Sequence, residues 1–474
     1  MSQRPIPDHP DGQPGVAAAR WRELRSALAG ETLAENEQGY EEARALWNGM
    51  IDRRPRLIAR CADPDDVVRC VRFAGEQGVE LTVRGGGHNI GGRALVEGGL
   101  VADLSGWRRV VVDADAGEAV VGAGATLGDV DRATQEHGLA VPVGIVSQTG
   151  IGGLTLGGGF GWLSRRFGLA CDHLVAAEVV TAAGERLTVD EGNHPDLFWA
   201  LRGGGGGFAA VTSLRFRLRP VGPVVAAGLV VHRGGEAMAA AAHYRETTAA
   251  APETLGSFFL LRLAPPAPFL PAAMHGQPIA AFVVCHHGDE DAAARDLAPW
   301  RSWGAPVADV VAPRRFADFQ SLFDPQAPKG RRYYWRSEYV GGFEESLAAV
   351  LADHAARITS PFSDIKVFHL GGAVSRVPAG TTAAAHRDAE FIVVVAAAWT
   401  DAAEDERHIG WVRDCWRDVD ALSGRGGYLN FLTADAAAPQ VRGAYGGVDL
   451  DRLRAVKRRY DPTGLLGGGS LPVD

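Results

Sequence analysis

The stretch LTVRGGGHNIGGR, from Leu81 to Arg93, decides the fold of this chain. Residues 81–83 have the apolar and β-branched composition of a strand, and the three glycines after Arg84 end it, because glycine adopts backbone angles that strands do not hold. Successive glycine N–H groups form a backbone nest for anionic oxygens, so a phosphate fits here with Arg84 close by. The same letters also fit a glycine-rich surface turn with an exposed histidine, His88.

Length and composition limit the classes of protein. The 474 residues exceed one ordinary core, so we expect two domains, or one domain interrupted by another. A net charge of −9 disfavours a nucleic-acid or anionic membrane surface and favours a small-molecule partner. The five cysteines have no CxxC spacing, so neither a disulfide framework nor a metal site is predicted. Without a leader-like or membrane-spanning apolar run, a cytoplasmic location is expected, and the oligomeric state stays open.

The segments around the nest predict alternating strands and helices. A strand at 57–60, a helix at 67–76 and the strand before the nest form a β-α-β unit, which places the nest at the end of the second strand. Residues 1–15 are expected to form a loose tail. The glycines at 122 and 124 suggest a dinucleotide fingerprint, but the next glycine, Gly128, comes one residue too late, so no Rossmann site is predicted.

Two further glycine clusters weigh against a mere surface turn. Residues 148–161 read QTGIGGLTLGGGFG, and residues 203–207 are all glycine. Glycine at this density costs folding entropy, so we infer that something approaches the backbone closely at these places. Three clusters within about 120 residues fit one extended ligand with several phosphate or ring contacts.

The order of the motifs resembles the berberine-bridge and 6-hydroxy-D-nicotine oxidase group, FAD-linked oxidases of the vanillyl-alcohol oxidase superfamily. The motifs are RGGGHN at 84–89, the glycine run at 150–169, PDLFWALRGGGGG at 195–207, YLN at 428–430 and KRRYDP at 457–462. The resemblance implies an α+β fold, in which a two-part PCMH-type FAD-binding domain carries an inserted antiparallel-sheet substrate domain. The middle of the chain is most similar to bacterial natural-product oxidases.

The resemblance also implies the domain boundaries. We expect the FAD-binding domain at residues 16–220, with its PCMH-type core at about 53–220. The substrate-binding domain is expected at 221–424, and residues 425–474 are expected to return to the FAD-binding domain.

The site residues follow from the same resemblance. His88 matches the histidine that bonds to the 8α-methyl of FAD, and Tyr428 matches a tyrosine proposed to remove a substrate proton near N5 of the flavin. Val146 stands where many members carry a cysteine with a second flavin bond, so only the histidyl link is expected. The other positions that match FAD contacts are Arg84, Gly85, Gly86, Gly87, Asn89, Thr149, Gly150, Gly152, Gly153, Gly157, Gly158, Val211 and Asn430. Of these, the positions in the second glycine cluster match a strand and turn that contact FAD in the family.

Two departures from the family pattern leave local FAD contacts open. Gly207 replaces the usual asparagine after LRGGGG, and residues 464–467, GLLG, replace the usual Asn-x-Phe-Arg tail.

Residues 221–424 predict an antiparallel sheet with helices on one face, so that its free face covers the flavin. Strands are expected at 224–232, 257–263, 279–287, 333–340 and 365–374, and helices at 235–250, 289–297, 344–356 and 402–422. Lys366 and His369 are candidate active-site groups, although a lysine whose charged end reaches solvent is the commoner case. A strand at 428–431 is expected to place Tyr428 and Asn430 on one face.

The sequence thus predicts an oxidase that takes hydride from a small organic, secondary-metabolite substrate onto covalently bound FAD, which dioxygen reoxidises. The alternative is a flavin-dependent oxygenase or a non-oxidative cyclase or rearrangement enzyme of natural-product biosynthesis. A flavin-free hydrolase or transferase is not supported, because no GxSxG, HExxH or Walker motif is present.

Overall fold

The computed structural model describes residues 16–471, so the expected tail at 1–15 lies outside the described residues. Its first sheet has four strands in the order β1-β2-β4-β3, and both β2 and β3 run parallel to β4. The strands are β1 (Glu31–Leu33), β2 (Leu57–Arg60), β3 (Leu81–Arg84) and β4 (Leu100–Asp103), and the helices are α1 (Ala18–Ala27), α2 (Tyr40–Arg44) and α3 (Pro64–Gln77). The expected β-α-β unit is present, with β4 between its two strands.

The second sheet has five antiparallel strands in the order β5-β6-β10-β8-β9, while β7 and β11 form a separate pair. The strands are β5 (Val110–Asp113), β6 (Glu118–Gly122), β7 (Leu139–Ala140), β8 (Leu174–Val180), β9 (Arg186–Val189), β10 (Ala210–Arg217) and β11 (Arg219–Pro220). The helices are α4 (Leu127–Gln135), α5 (Ile151–Leu156), α6 (Ser164–Phe167) and α7 (Pro195–Leu201).

Helix α5 corrects one expectation. The second glycine cluster was matched to a strand and turn, but its first half is helical. Two glycines within the helix disfavour it locally. Buried Ile151 anchors it, since its N–H donates to the carbonyl of Ala125 over 2.9 Å and its side chain packs in the core. Tertiary packing therefore overrides the local propensity.

The third sheet is the antiparallel sheet expected in the middle of the chain. Its order is β15-β12-β14-β13-β18-β19-β17, and β16 also pairs with β12. The strands are β12 (Val224–Arg233), β13 (Leu255–Leu263), β14 (Pro278–His286), β15 (Ala308–Asp309), β16 (Ala312–Arg315), β17 (Arg332–Val340), β18 (Asp364–His369) and β19 (Phe391–Trp399). The helices of this part are α8 (Ala237–Ala249), α9 (Glu290–Arg301), α10 (Phe316–Gln320), α11 (Glu345–Ala355), α12 (Ala373–Arg376) and α13 (Asp405–Ser423).

Helices α8, α9, α11 and α13 share one core with one face of this sheet, as the sequence predicted. The opposite face packs against aromatic residues of the glycine-rich segment, among them Phe160 and Trp162. Two strand expectations need correction. Strand β19 was not predicted, and β18 ends at His369, because Gly371 and Gly372 have positive φ angles of 69° and 56° that no strand continues through.

The C-terminal segment lies against the first sheet. It contains α14 (Ala438–Gly443) and α15 (Leu450–Tyr460). After α15, the N–H of Gly467 donates to the carbonyl of Leu81 over 2.8 Å, and the N–H of Leu81 donates to Leu465. The chain end thus pairs with β3, the strand that leads into the glycine nest. Between residues 16 and 471, no helix combines the length and the hydropathy needed to cross a bilayer.

Candidate active site

A cleft lies between the glycine-rich loops and the free face of the third sheet, with a cavity volume of about 330 Å³. Most of the expected site residues line it. They are Gly85, Gly86, Gly87, His88, Asn89, Thr149, Gly150, Gly152, Gly153, Val211, Lys366, Tyr428 and Asn430. The cleft therefore joins the glycine clusters to residues of the sheet and of the C-terminal segment.

The first two glycine clusters pack against each other, backbone to backbone. A Cβ atom on Gly86 would lie 2.6 Å from the Cα of Gly150, so neither position has room for a side chain. Gly153 differs, because a Cβ there would meet nothing within 4 Å and would project into the cleft. Some glycines are thus needed for close packing of the loops, and others keep the cleft open.

Arg84 does not take the phosphate-binding position expected from the sequence. Its guanidinium donates to the carbonyl oxygens of Ala43 and Ala45, the latter over 3.2 Å, and the side chain is not part of the cleft lining. Burial lowers the pKa of this group. Arg84 therefore holds the segment after α2 against the nest.

His88 follows the nest and faces the cleft. Its ring is half-buried, and its buried Nε2 has no hydrogen-bond partner among the described residues. Loss of hydration lowers the pKa of His88 to about 4, so the imidazole is neutral at physiological pH. The ring stacks on Trp47 with 4.2 Å between centroids, and Trp47 stacks in turn on Tyr333 at 3.7 Å. A neutral, oriented imidazole with one free nitrogen is a nucleophile.

Val146 lines the same cleft, and none of the described residues lining it is a cysteine. Cys171 is buried in the core behind the lining, where its thiol lies 3.8 Å from a carboxylate oxygen of Asp172. Burial also raises the pKa of this thiol, which keeps it protonated.

Tyr428 and Asn430 meet, but not through the expected strand. Residues 429–431 form a 3₁₀ turn, and the Asn430 side chain folds back on the tyrosine. The Tyr428 hydroxyl accepts hydrogen bonds from Nδ2 of Asn430 at 2.8 Å and from the N–H of Gly159 at 2.9 Å. Burial raises the pKa of Tyr428, and both donors act against this by stabilising the phenolate.

Gly157 and Gly158, two expected FAD contacts, lie beside this pair and not in the cleft lining. A Cβ on Gly157 would collide with the Asn430 amide, and one on Gly158 would lie 3.8 Å from the Tyr428 ring. Gly157 therefore makes room for the asparagine, whereas Gly158 is required for its backbone, which has a φ angle of 112°.

Lys366 and His369 lie on opposite faces of strand β18. Lys366 faces the cleft and donates a hydrogen bond to Asp364, two residues earlier on the same face. Burial lowers the pKa of Lys366, and the Asp364 carboxylate opposes that shift. His369 lies on the opposite face, where it contacts Arg165 at 2.6 Å and stacks on Phe391. The structure therefore removes His369 from the candidate active-site groups.

The two departures from the family pattern lie next to each other. A Cβ on Gly207 would lie 3.0 Å from the Cα of Gly469, so the third glycine cluster packs on the glycine-rich chain end. Nζ of Lys457 joins the two, because it donates to the carbonyl of Gly207 at 2.6 Å and to that of Leu466 at 3.2 Å. It also pairs with buried Asp461 at 2.5 Å. The KRRYDP element thus fixes this end of the cleft.

Several lining residues were missed by sequence reasoning. Arg93, at the end of the quoted stretch, donates to the carbonyl of Gly469 at 2.6 Å and brings a cation to the glycine end of the cleft. Phe160, Asp364 and Trp335 line the sheet end. Alternation along β17 gave a sequence-level signal for Trp335, without saying which face meets the ligand, whereas Asp364 precedes the strand that was expected from residue 365.

Comparison with known proteins gives the family. A family model described as an FAD binding domain matches residues 55–190. The chain is 31% identical to the uncharacterized FAD-linked oxidoreductase YgaK of Bacillus subtilis (strain 168), over 93% of this chain and 96% of that protein. This chain belongs to the FAD-linked oxidoreductases.

Two further similarities agree with this family assignment. The oxidoreductase is 30% identical to the aclacinomycin-N/aclacinomycin-A oxidase of Streptomyces galilaeus, over 88% of this chain and 84% of that one. The crystal structure of 6-hydroxy-D-nicotine oxidase from Arthrobacter nicotinovorans matches it with a TM-score of 0.83 and 28% identity, covering 94% and 98% of the two chains. The family resemblance and the α+β fold predicted from the sequence are confirmed, and the protein is an enzyme.

The residues of the cleft fit FAD. The unpartnered Nε2 of His88 is a buried polar atom that needs a bonding partner. Gly153 lines the cleft and leaves open space where a Cβ would stand. Glycine N–H groups and Arg93 supply donors and positive charge for a pyrophosphate at one end, while the other end is aromatic.

Proposed function

We propose that the oxidoreductase is an oxidase that takes hydride from a small organic, secondary-metabolite substrate onto FAD attached to His88, with dioxygen as the second substrate. The position of His88 carries the proposal, since a neutral imidazole with one unpartnered nitrogen ends the glycine nest and faces the cleft. The relative named aclacinomycin oxidase supports the substrate class.

The chain's own residues have distinct roles in this proposal. The residues that hold FAD are the lining glycines of the first two clusters with His88, Asn89, Thr149, Val211 and Asn430. When bound, FAD accepts hydride and passes electrons to dioxygen. Gly159 and Asn430 stabilise the phenolate form of Tyr428 by donating to its oxygen, and that oxygen accepts the substrate proton, which leaves a neutral phenol. Val146 leaves the flavin with the histidyl link alone.

Acid precipitation tests the attachment. The precipitated protein is expected to stay yellow, and the tryptic peptide of residues 85–93 to gain the mass of the flavin. His88→Ala is expected to release any bound FAD into the supernatant. A yellow supernatant from the wild-type protein contradicts the covalent link, and a colourless protein contradicts flavin binding altogether.

Reoxidation tests the choice of acceptor. Holoprotein reduced with dithionite is expected to regain its flavin absorption in aerated buffer and to release one hydrogen peroxide per flavin. Substrate added without oxygen should then bleach the flavin before air is admitted. Reduction that yields an oxygenated product, or turnover without any bleaching, favours the oxygenase or the non-oxidative alternative.

A further inference from the structure

The sheet end of the cleft has the shape of a flat slot. Strand β19 forms its floor with the small side chains of Val394, Ala396 and Ala398, which all line the cleft. Trp335 on β17 pairs directly opposite Ala396, and Asp364 on β18 pairs opposite the same residue from the other side. Trp335 and Asp364 thus stand on opposite sides of a floor of smaller side chains.

Aromatic rings close the slot. Phe431 meets Trp335 edge to face, with 5.3 Å between ring centroids, and Phe160 meets Phe368 in the same manner at 5.3 Å. A sugar chain needs hydrogen-bond partners distributed along its hydroxyl groups, because each unpaired buried hydroxyl costs free energy. These walls instead match the faces and edges of a planar aromatic compound.

The charged side chains that line the slot are confined to one spot, the ion pair of Asp364 and Lys366. Arg262 pairs opposite Asp364 on β13 and is buried. It is held by neutral groups, with Nη1 donating to Gln326 at 2.5 Å and Nε to the carbonyl of Leu263 at 3.1 Å. Two cations therefore face one carboxylate, which leaves a net positive charge at the slot.

Lys366 is the cation that can reach a ligand. The Lys366 ammonium has three N–H donors. Among residues 16–471, Asp364 is the one group that accepts a hydrogen bond from this ammonium. The remaining donors need an acceptor inside the cleft. Arg93, the other lining cation, lies at the glycine end.

We propose that the substrate is a planar aromatic compound with an acidic oxygen substituent, a carboxylate or an acidic phenol, that binds Lys366. Lys366 is then a specificity-determining residue. This inference rests on the proposed function, since it assigns the substrate of the same cleft.

Calorimetric titration of the holoprotein with three probes that share one ring system tests it. The probes are 2-naphthoate, 2-naphthol and neutral naphthalene-2-carboxamide, with xylobiose as a sugar. One of the two acidic probes, 2-naphthoate or 2-naphthol bound as its phenolate, is expected to bind at least tenfold more tightly than the carboxamide, because only an anion adds charge attraction to the hydrogen bond from the ammonium. The tighter of the two identifies the acidic group.

Variants locate the effect. Lys366→Met keeps the apolar stem and is expected to remove the tenfold preference for the acidic probe. Lys366→Arg keeps the positive charge and is expected to retain that preference. Lys329→Met removes one exposed cation outside the lining and is expected to keep it. The proposal is overturned if the carboxamide binds as tightly as the acidic probes, or if no naphthalene probe gives heat. It is also overturned if xylobiose binds more tightly than the naphthalene probes, or if Lys366→Met leaves the preference unchanged. Calorimetry does not depend on flavin colour, so a colourless protein that still prefers the acidic probe contradicts only the proposed oxidase function.

Discussion

Nδ2 of Asn430 donates a hydrogen bond to the Tyr428 hydroxyl at 2.8 Å, and the same amide donates to the carbonyl of Leu154 at 3.0 Å. The asparagine thereby ties the tyrosine to α5, whose N-terminal glycines line the cleft. The N–H of Gly159 is the second donor to the phenol. This arrangement resembles an oxyanion site built around a side chain, and it favours the charged form of a group whose burial disfavours it.

Removing the Tyr428 hydroxyl tests its role as a base. Tyr428→Phe keeps the ring between Phe160 and Phe431 and should preserve the fold and the flavin content. Anaerobic reduction of the flavin by substrate is expected to slow by roughly 10²-fold or more, the range for loss of a general base. Tyr339→Phe is the control, since Tyr339 is buried outside the lining. A wild-type rate in Tyr428→Phe would make it a packing residue and leave Lys366 as the candidate base.

Asn430→Asp tests whether the amide sets the pKa of the phenol. The change replaces a donor to the Tyr428 hydroxyl with a carboxylate, so it raises the pKa of Tyr428 further. A hydrogen bond to a charged group is worth about 1.5–3 kcal/mol, so the rise of the reduction rate with pH is expected to move roughly one to two units upward. Stopped-flow reduction over a pH series measures it. A shift that persists in the double variant with Tyr428→Phe would assign the titration to another group.

Trp47 is expected to orient His88 for flavin attachment. It stacks on the imidazole, and its indole N–H donates to the carbonyl of Ala327 at 2.8 Å. Trp47→Leu removes a stacking pair worth about 0.5–1.5 kcal/mol, so attachment is expected to slow by up to roughly tenfold. The time course of acid-insoluble flavin after FAD is added to apoprotein measures this. Trp21→Leu, in a buried pair with Phe73, is the matched control. Equal slowing in both variants would indicate general destabilisation.

The elements that the sequence predicted correctly have clear local signals. Helix α3 is capped at its start by Asp63, whose side chain accepts from the N–H of Asp66, and at its end by Gly78, which has a φ angle of 64°. Strand β19 has no such signal. Its nine residues, FIVVVAAAW, are buried on both faces, so hydrophobic alternation is absent and three alanines favour a helix. Only its pairing with β17 and β18 makes it a strand.

The direction of a side chain was the harder part of the site to predict. Arg84 follows a strand and precedes a nest, which fits a phosphate ligand, but the carbonyl groups of residues 43 and 45 come near it only in the folded chain. His369 and Lys366 illustrate the same point, since alternation separates their faces and only tertiary structure decides which face meets the cleft.

Lys457 is expected to stabilise the fold through the chain end. Its ammonium pairs with the buried Asp461 carboxylate, which also accepts from the N–H groups of Leu465 and Leu466. Lys457→Met leaves that charge buried without its partner, so the free energy of unfolding should fall by roughly 3–5 kcal/mol. Denaturant titration measures it. Arg458→Met, exposed on the same helix, is expected to stay within about 0.5 kcal/mol of the wild type. Equal losses in both would show that the ion pair contributes nothing of its own.

Asp131 gives the fold a pH dependence. It is buried on α4, where Oδ2 accepts from Nε2 of Gln320 at 3.1 Å and Oδ1 has no partner among the described residues. Burial raises the pKa of this carboxyl to about 7, whereas an unfolded chain has an ordinary value near 4. Between these values the folded state holds a proton that the unfolded state releases, so stability falls as pH rises from about 4 to 7.

Asp131→Asn stays uncharged and should cancel this loss. Denaturant titrations are expected to show equal stability near pH 4 and an advantage for the variant that grows to roughly 4 kcal/mol above pH 7. Asp129→Asn, on the same helix, is a control of opposite sign. Burial opposes its ionisation, but hydrogen bonds from Arg108 and Thr126 lower the pKa of Asp129, so its contribution is present at neutral pH and is lost in acid. A constant difference between Asp131→Asn and wild type across this range would show that Asp131 is not the titrating group.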